Sequence, residues 1–179
     1  GQRLTVSGKL ARAGGERTNT DNGAGIRNMT GTALVAGGSE TGLQQAGTLS
    51  VKGSFSQAGG STSALTATVG HTTVLNGTVP TSFTFANPNT SSFGSLTIND
   101  TAGVTALSTF QASNITMTAG ILSGTLGGTI NGTLTDPLGK LQLSSISFAS
   151  STTPVSATTP AIIGSVTFNN NPSILAANL

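Results

Sequence analysis

The ionisable side chains of this 179-residue chain are seven Lys or Arg, five carboxylates and one His, and it has neither Cys nor Tyr. Each chemistry these residues could perform needs a particular grouping. A nucleophilic Ser needs a His as base and a carboxylate to orient that base. His71 is the single candidate base, and no Gly-x-Ser-x-Gly turn presents a serine. His71 therefore reads as a solvated or hydrogen-bonded residue at a strand end. Glycoside hydrolysis needs two carboxyl groups about 5–10 Å apart, to be drawn from Glu16, Asp21, Glu40, Asp100 and Asp136. Glu16 and Asp21 lie in a Gly-rich polar stretch and read as solvated, and Asn99-Asp100-Thr101 reads as a turn. Thr18-Asn19-Thr20-Asp21-Asn22 could offer a cation some oxygens, but it lacks the acidic density of a calcium loop. The absence of Cys excludes thiol catalysis, Cys-ligated zinc, iron–sulfur clusters and disulfides. The Gly-rich string 120–128 carries no Lys and opens no helix pattern, so it does not read as a phosphate cradle. The expectation is a protein that is not an enzyme and has no cofactor and no metal.

Composition points the same way. Charged residues make up 7% of the chain, against roughly 25% in an average soluble domain. Ser and Thr number 53 and Gly 25. Five of the seven basic residues, Arg3, Lys9, Arg12, Arg17 and Arg27, precede residue 28, and from Gly53 to Leu179 the charged side chains are Asp100, Asp136 and Lys140 alone. A net charge of +2 without Trp or Tyr is no nucleic-acid footprint. There is no run of about 18 apolar residues to span a membrane as a helix, and no aromatic girdles of a membrane barrel. Such an uncharged surface could be buried against copies of itself, covered by glycans or hydrated through its hydroxyls. Gly in place of Met at position 1 and the Ser/Thr/Asn/Gly-rich composition fit an exported, surface-located chain.

Period-2 alternation recurs, the mark of half-buried strands. Leu4, Val6, Gly8 and Leu10 share a face, as do Leu49, Val51, Gly53 and Phe55. Leu65-Ala67-Val69, Phe83-Phe85, Leu96-Ile98, Ile115-Met117, Ile130-Gly132-Leu134 and Ile162-Gly164-Val166-Phe168 repeat the pattern. The phase slips in Leu141, Leu143, Ile146 and Phe148, which suggests a β-bulge at Ser144-Ser145. Short helices are conceivable at 101–113 and 173–178. Asn76-Gly77 and Asn131-Gly132 sit in two nearly identical strings, and Asn-Gly between strands signals a type I′ hairpin. These features predict an all-β, antiparallel β-sandwich of jelly-roll or immunoglobulin-like type, with about ten to twelve short strands. No strict repeat period is visible, which speaks against a solenoid. The polar stretch 11–25 reads as a loop or linker, dividing the chain into a first strand with its linker, 1–25, and a sandwich domain, 26–179.

Six Asn-x-Ser/Thr sequons, at Asn28, Asn76, Asn89, Asn99, Asn114 and Asn131, are candidate N-glycosylation sites, against about four expected from 13 Asn and this Ser/Thr content. Thr-x-Thr pairs such as Thr66-Ala67-Thr68 and Thr116-Met117-Thr118 suit ice-binding faces only when aligned in flat ranks, and along the sequence they are scattered. Lys9, Lys52 and Lys140 could in principle join an Asn in an isopeptide bond, yet no partner is identifiable.

In overall composition and in its detached first strand, the chain loosely resembles secreted donor-strand-type β-sandwich subunits of pili and extracellular fibres. That resemblance implies a homopolymer in which a terminal strand completes the neighbour's sheet, here with Leu4, Val6, Gly8 and Leu10 facing the acceptor groove. It implies no nucleic-acid partner and no membrane insertion. The alternative reading is a cell-surface adhesin or glycan-binding module, weakened by the lack of a Trp or Tyr for sugar stacking.

Overall fold

The computed structural model describes residues 3–6, 10–12, 26–29, 31–36, 46–58, 65–137, 139–149, 155–157 and 165–168, the strands at either end by their backbone alone. Strands are β1 (Arg3–Val6), β2 (Leu10–Arg12), β3 (Ile26–Met29), β4 (Ala33–Ala36), β5 (Gly47–Val51), β6 (Phe55–Ala58), β7 (His71–Leu75), β8 (Thr81–Phe85) and β9 (Phe93–Asn99). They continue as β10 (Val104–Ala106), β11 (Phe110–Ala119), β12 (Leu122–Gly124), β13 (Gly128–Ile130), β14 (Leu134–Asp136), β15 (Leu141–Leu143), β16 (Ser145–Phe148), β17 (Val155–Ala157) and β18 (Ser165–Phe168). Every pairing between them is parallel.

The chain is therefore a β-solenoid, with about four full turns between Leu65 and Leu143; the expected antiparallel sandwich is wrong. Seven strands, in the order β15-β12-β10-β8-β6-β4-β2, form one sheet. The other eleven form a second sheet that forks at β11. The first part of β11 pairs with β13 (Phe110↔Gly128) and its later part with β14 (Ile115↔Leu134). This gives the larger sheet a short wing, through β13, β16 and β18, and a long wing, through β5, β7, β9, β14 and β17. β1 pairs with β3 and β2 with β4, so the strands assigned to a separate N-terminal segment continue the same two sheets.

The corners explain why local signals misled. The turn length is not constant: Phe110 registers with Gly128, Leu75 with Ile98, and Phe55 with Phe83, which are 18, 23 and 28 positions apart. A coil that adds residues at its corners keeps its register but loses any fixed sequence period. Neither Asn-Gly pair makes a hairpin. A type I′ turn needs positive φ at both central residues, and among the described residues only Gly47, Gly103, Gly120 and Gly139 have positive φ. Asn76-Gly77 and Asn131-Gly132 instead stack their backbones on the preceding turn: the Asn76 N–H donates to Val51 O and the Asn131 N–H to Ala112 O, each at 2.9 Å. Glycine is required at 77 and 132 because a β-carbon would strike Asp100 and the Lys52 carbonyl in one case, and Asn114 and the Ser113 carbonyl in the other.

Ser144 is likewise a corner rather than a bulge, the single residue between β15 and β16; its N–H donates to Gly124 O at 3.2 Å and its hydroxyl to Thr125 O at 2.8 Å. The helix considered at 101–113 is a turn followed by β10 and the start of β11. The one considered at 173–178, the linker residues 13–25 and Gly8 lie outside the described residues.

Between the sheets lies an apolar core. Phe55, Phe83, Phe85, Phe93, Phe110 and Phe148 are all buried. Phe93 lies 5.3 Å from Phe55, 5.5 Å from Phe83 and 4.9 Å from Phe85 between ring centroids, and Phe83 lies 5.0 Å from Phe110. The Phe83–Phe93, Phe85–Phe93 and Phe83–Phe110 pairs are edge-to-face, packing that adds about 0.5–1.5 kcal/mol per pair beyond area burial. Leu96, Ile115 and Leu134 stack in register one turn apart, as do Leu75, Ile98 and Met117. Each turn thus repeats the same inward positions and buries its apolar side on its neighbours.

Candidate functional site

Among the described residues, the two carboxylates hold corners of the coil. Asp100 follows β9 and is fully buried. Its Oδ2 accepts the Thr81 hydroxyl at 2.7 Å and its Oδ1 accepts the Ala102 N–H at 3.0 Å. Asp136 ends β14 and is also fully buried; its two oxygens accept the Lys140 and Leu141 N–H groups at 2.8 and 3.0 Å. Both carboxylates thus satisfy backbone or hydroxyl donors that the coil's bends would otherwise strand. His71 opens β7 at 8% exposure, and its N–H donates to Thr68 O at 2.9 Å. It is the strand-end residue expected, but buried rather than solvated. Among the described residues no three His, Asp or Glu side chains come together. Glu16, Asp21 and Glu40 lie outside the described residues, as does Lys9, while Lys52 is exposed beside a corner.

Burial of the two aspartates strips most charge from the segment after residue 53. Of the side chains from residue 53 onward that are charged by sequence, Lys140 alone is not fully buried. On the outer face of the long wing, register sets two columns side by side. One reads Thr48, Thr72, Ser95, Asn114 and Thr133, and the other Ser50, Val74, Thr97, Thr116 and Thr135. The first column is knitted together: Asn114 Nδ2 donates to Ser95 Oγ at 3.3 Å, and its Oδ1 accepts the Thr133 N–H and hydroxyl at 2.9 and 3.0 Å. In the second, the hydroxyls of Thr97, Thr116 and Thr135 form no hydrogen bond with any described residue.

The seven-stranded sheet carries its own column, Ser54, Ser82, Thr105, Ser123 and Gln142. Ser82 and Ser54 hydroxyls lie 3.3 Å apart, and Thr105 and Ser123 hydroxyls 3.4 Å apart. Exposed apolar side chains stand at the margins of both sheets: Val69, two residues before β7, is 62% exposed and its carbonyl accepts the Ser95 hydroxyl at 3.1 Å. Val79, Leu107 and Leu126, exposed by 63, 58 and 43%, stand at the corners entering and leaving the seven-stranded sheet. The short wing bears a groove of about 280 Å³, lined by Pro88, Gln111, Gly127, Thr129, Ser145 and Ser147 among others. The Gln111 amide braces it by donating to Pro88 O and Asn89 O at 3.0 and 2.9 Å.

The sequence-derived candidates are spread over this scaffold rather than gathered. Leu4 and Val6 lie in β1, in register with Arg27 and Met29, and Leu10 lies in β2, in register with Ala33, so the proposed donor residues pair within their own chain. Among the sequons, Asn28 lies on β3, Asn89, Asn99 and Asn131 are exposed, Asn76 is half-buried, and Asn114 is half-buried with its amide engaged on both sides. Sequence reasoning missed the two outer columns: of the Thr-x-Thr pairs it singled out, only Thr116 falls in a column, and only the register between turns aligns the rest.

No family model, curated protein or solved structure matches the chain.

Proposed function

We propose that the chain is a structural subunit of an extracellular fibre, whose copies associate side by side through the outer face of the seven-stranded sheet. The observation that carries this reading is the burial of Asp100 and Asp136, which removes two of the three charges in the segment 53–179. A monomer normally keeps its neighbours away with a mixed charged surface, and in the segment 53–179 Lys140 is the one charged side chain that is not fully buried. The bordering Val79, Leu107 and Leu126 supply apolar contact area at the rim of a hydroxyl-bearing face. Association between open-ended, rod-like units need not close into a ring and so extends into fibres. In this reading the contact is lateral, because β1 and β2 already pair with β3 and β4 of the same chain.

The test is sedimentation velocity over a wide concentration range, paired with negative-stain imaging. Concentration-dependent association is expected, and Leu107→Lys with Leu126→Lys should abolish it while the β-rich spectrum persists. A wild-type chain that stays monomeric at every concentration would overturn the reading. The groove on the short wing favours a second reading, a surface adhesin. Its neutral, hydrogen-bonding lining suits a glycan, and binding on a glycan array that Gln111→Ala removes would establish it.

A further inference from the structure

The outer face of the long wing is a second uncharged surface, separate from that of the seven-stranded sheet. It holds ten positions in two columns across five consecutive strands, and eight of the ten are Ser or Thr, the others being Asn114 and Val74. None is charged. Strand register places nine of the ten positions, the shift in the β9–β11 pairing coming only after Met117, and Thr133, just ahead of β14, is placed by its hydrogen bonds to Asn114. Strand spacing sets the repeat along the coil at about 4.7–4.9 Å, and alternate residues on a strand are about 6.6 Å apart. A partner must therefore be extended, rigid, uncharged and periodic in two directions. Those two repeats lie close to the oxygen repeats on a prism face of hexagonal ice.

The two columns divide the task. Ser95, Asn114 and Thr133 hydrogen-bond to one another across turns and so fix the strand spacing. Thr97, Thr116 and Thr135 keep their hydroxyls and methyl groups for whatever meets the face. A lattice of water can be continued by such a row, because each hydroxyl both donates and accepts and each methyl fills the gap between lattice oxygens. A charged side chain would instead hold its own hydration shell, and the face has none.

We propose that the outer face of the long wing binds ice, with Thr97, Thr116 and Thr135 as the contact row and Thr48, Thr72 and Ser50 extending it. This goes beyond the fibre reading and uses a different face.

The test is thermal hysteresis by nanolitre osmometry, together with partition of the whole chain into a slowly growing ice hemisphere. The wild type should shape ice crystals, show a freezing gap and be incorporated into the ice. The double variant Thr97→Lys, Thr116→Lys should lose most of the gap and be excluded, with an unchanged far-UV spectrum and melting midpoint. Thr105→Lys with Ser123→Lys, on the opposite sheet, should retain it. A folded wild type that is excluded from ice overturns the proposal, including where it instead adheres to a crystalline polysaccharide or dimerises through this face. Equal loss in both double variants overturns it too. Because Leu107→Lys and Leu126→Lys read out association on the other sheet, failure of one proposal is distinguishable from failure of the other.

Discussion

Asp100 occupies the space that a side chain at Gly77 would need: its Oδ2 lies against the point where a β-carbon on that glycine would stand. One turn supplies the carboxylate and the preceding turn supplies the gap, while Thr81 donates its hydroxyl into the same place at 2.7 Å. Gly77→Ala should therefore cost about 1–3 kcal/mol by overpacking, seen as a lower urea midpoint with an unchanged slope. Asp100→Ala should cost a similar amount by leaving the Thr81 hydroxyl and Ala102 N–H without their acceptor. In the double variant the combined cost should be less than the sum of the two, since the clash with Asp100 is gone while that with the Lys52 carbonyl remains.

Phe93 meets three other rings at the centre of the core. Phe93→Ala should destabilise by about 3–5 kcal/mol, through lost burial and the cavity left behind. Calorimetry would check it, and a shift no larger than that of a surface substitution would contradict the stacking described.

His71 is 8% exposed, so its replacement is a core change and not a surface one. His71→Ala should lower stability by about 1–2 kcal/mol, beyond the roughly 0.5 kcal/mol typical of surface substitutions. Chemical denaturation of the two proteins side by side gives the answer.

Asn114 has its amide nitrogen on Ser95 and its amide oxygen on Thr133. Peptide mass spectrometry after expression in a glycosylating host should find Asn114 unmodified in folded protein, with any glycan at exposed Asn89, Asn99 or Asn131. Asn114→Ala should cost about 1–3 kcal/mol, because the Thr133 N–H loses its acceptor.

The β content and most inward positions were legible from alternation, since period 2 reports a half-buried strand whatever its partner. Parallel and antiparallel strands of three to five residues share that period, so direction was not legible. Leu49-Val51-Gly53-Phe55 shows the difficulty best. It reads as one strand, yet it spans β5, a corner at 52–54 and β6. Val51 and Phe55 both point inward, so the corner preserves the alternation while the chain changes sheets. Asn-Gly misled for a related reason: it marks a place where a β-carbon cannot fit, and a stacked corner imposes that as firmly as a hairpin does. The hydroxyl face was legible only pair by pair, because its second dimension exists solely in register. Thr97 and Thr116 are 19 positions apart, and Thr48 and Thr72 are 24 apart.

Those unequal turn lengths bear on how such a gene can change. A globular sandwich fixes every strand's place by long-range contacts, so an inserted or deleted codon inside it usually disrupts several neighbours. Here a residue gained at a corner is absorbed locally, at a closure cost that grows only with the logarithm of loop length, while a residue gained within a strand turns every later inward side chain of that strand to water. Drift in length should therefore accumulate at the bends and be purged from the rungs. Duplication of a whole turn need preserve only the stacked inward positions, and no particular number of residues, so recombination can lengthen or shorten the rod in steps of one coil.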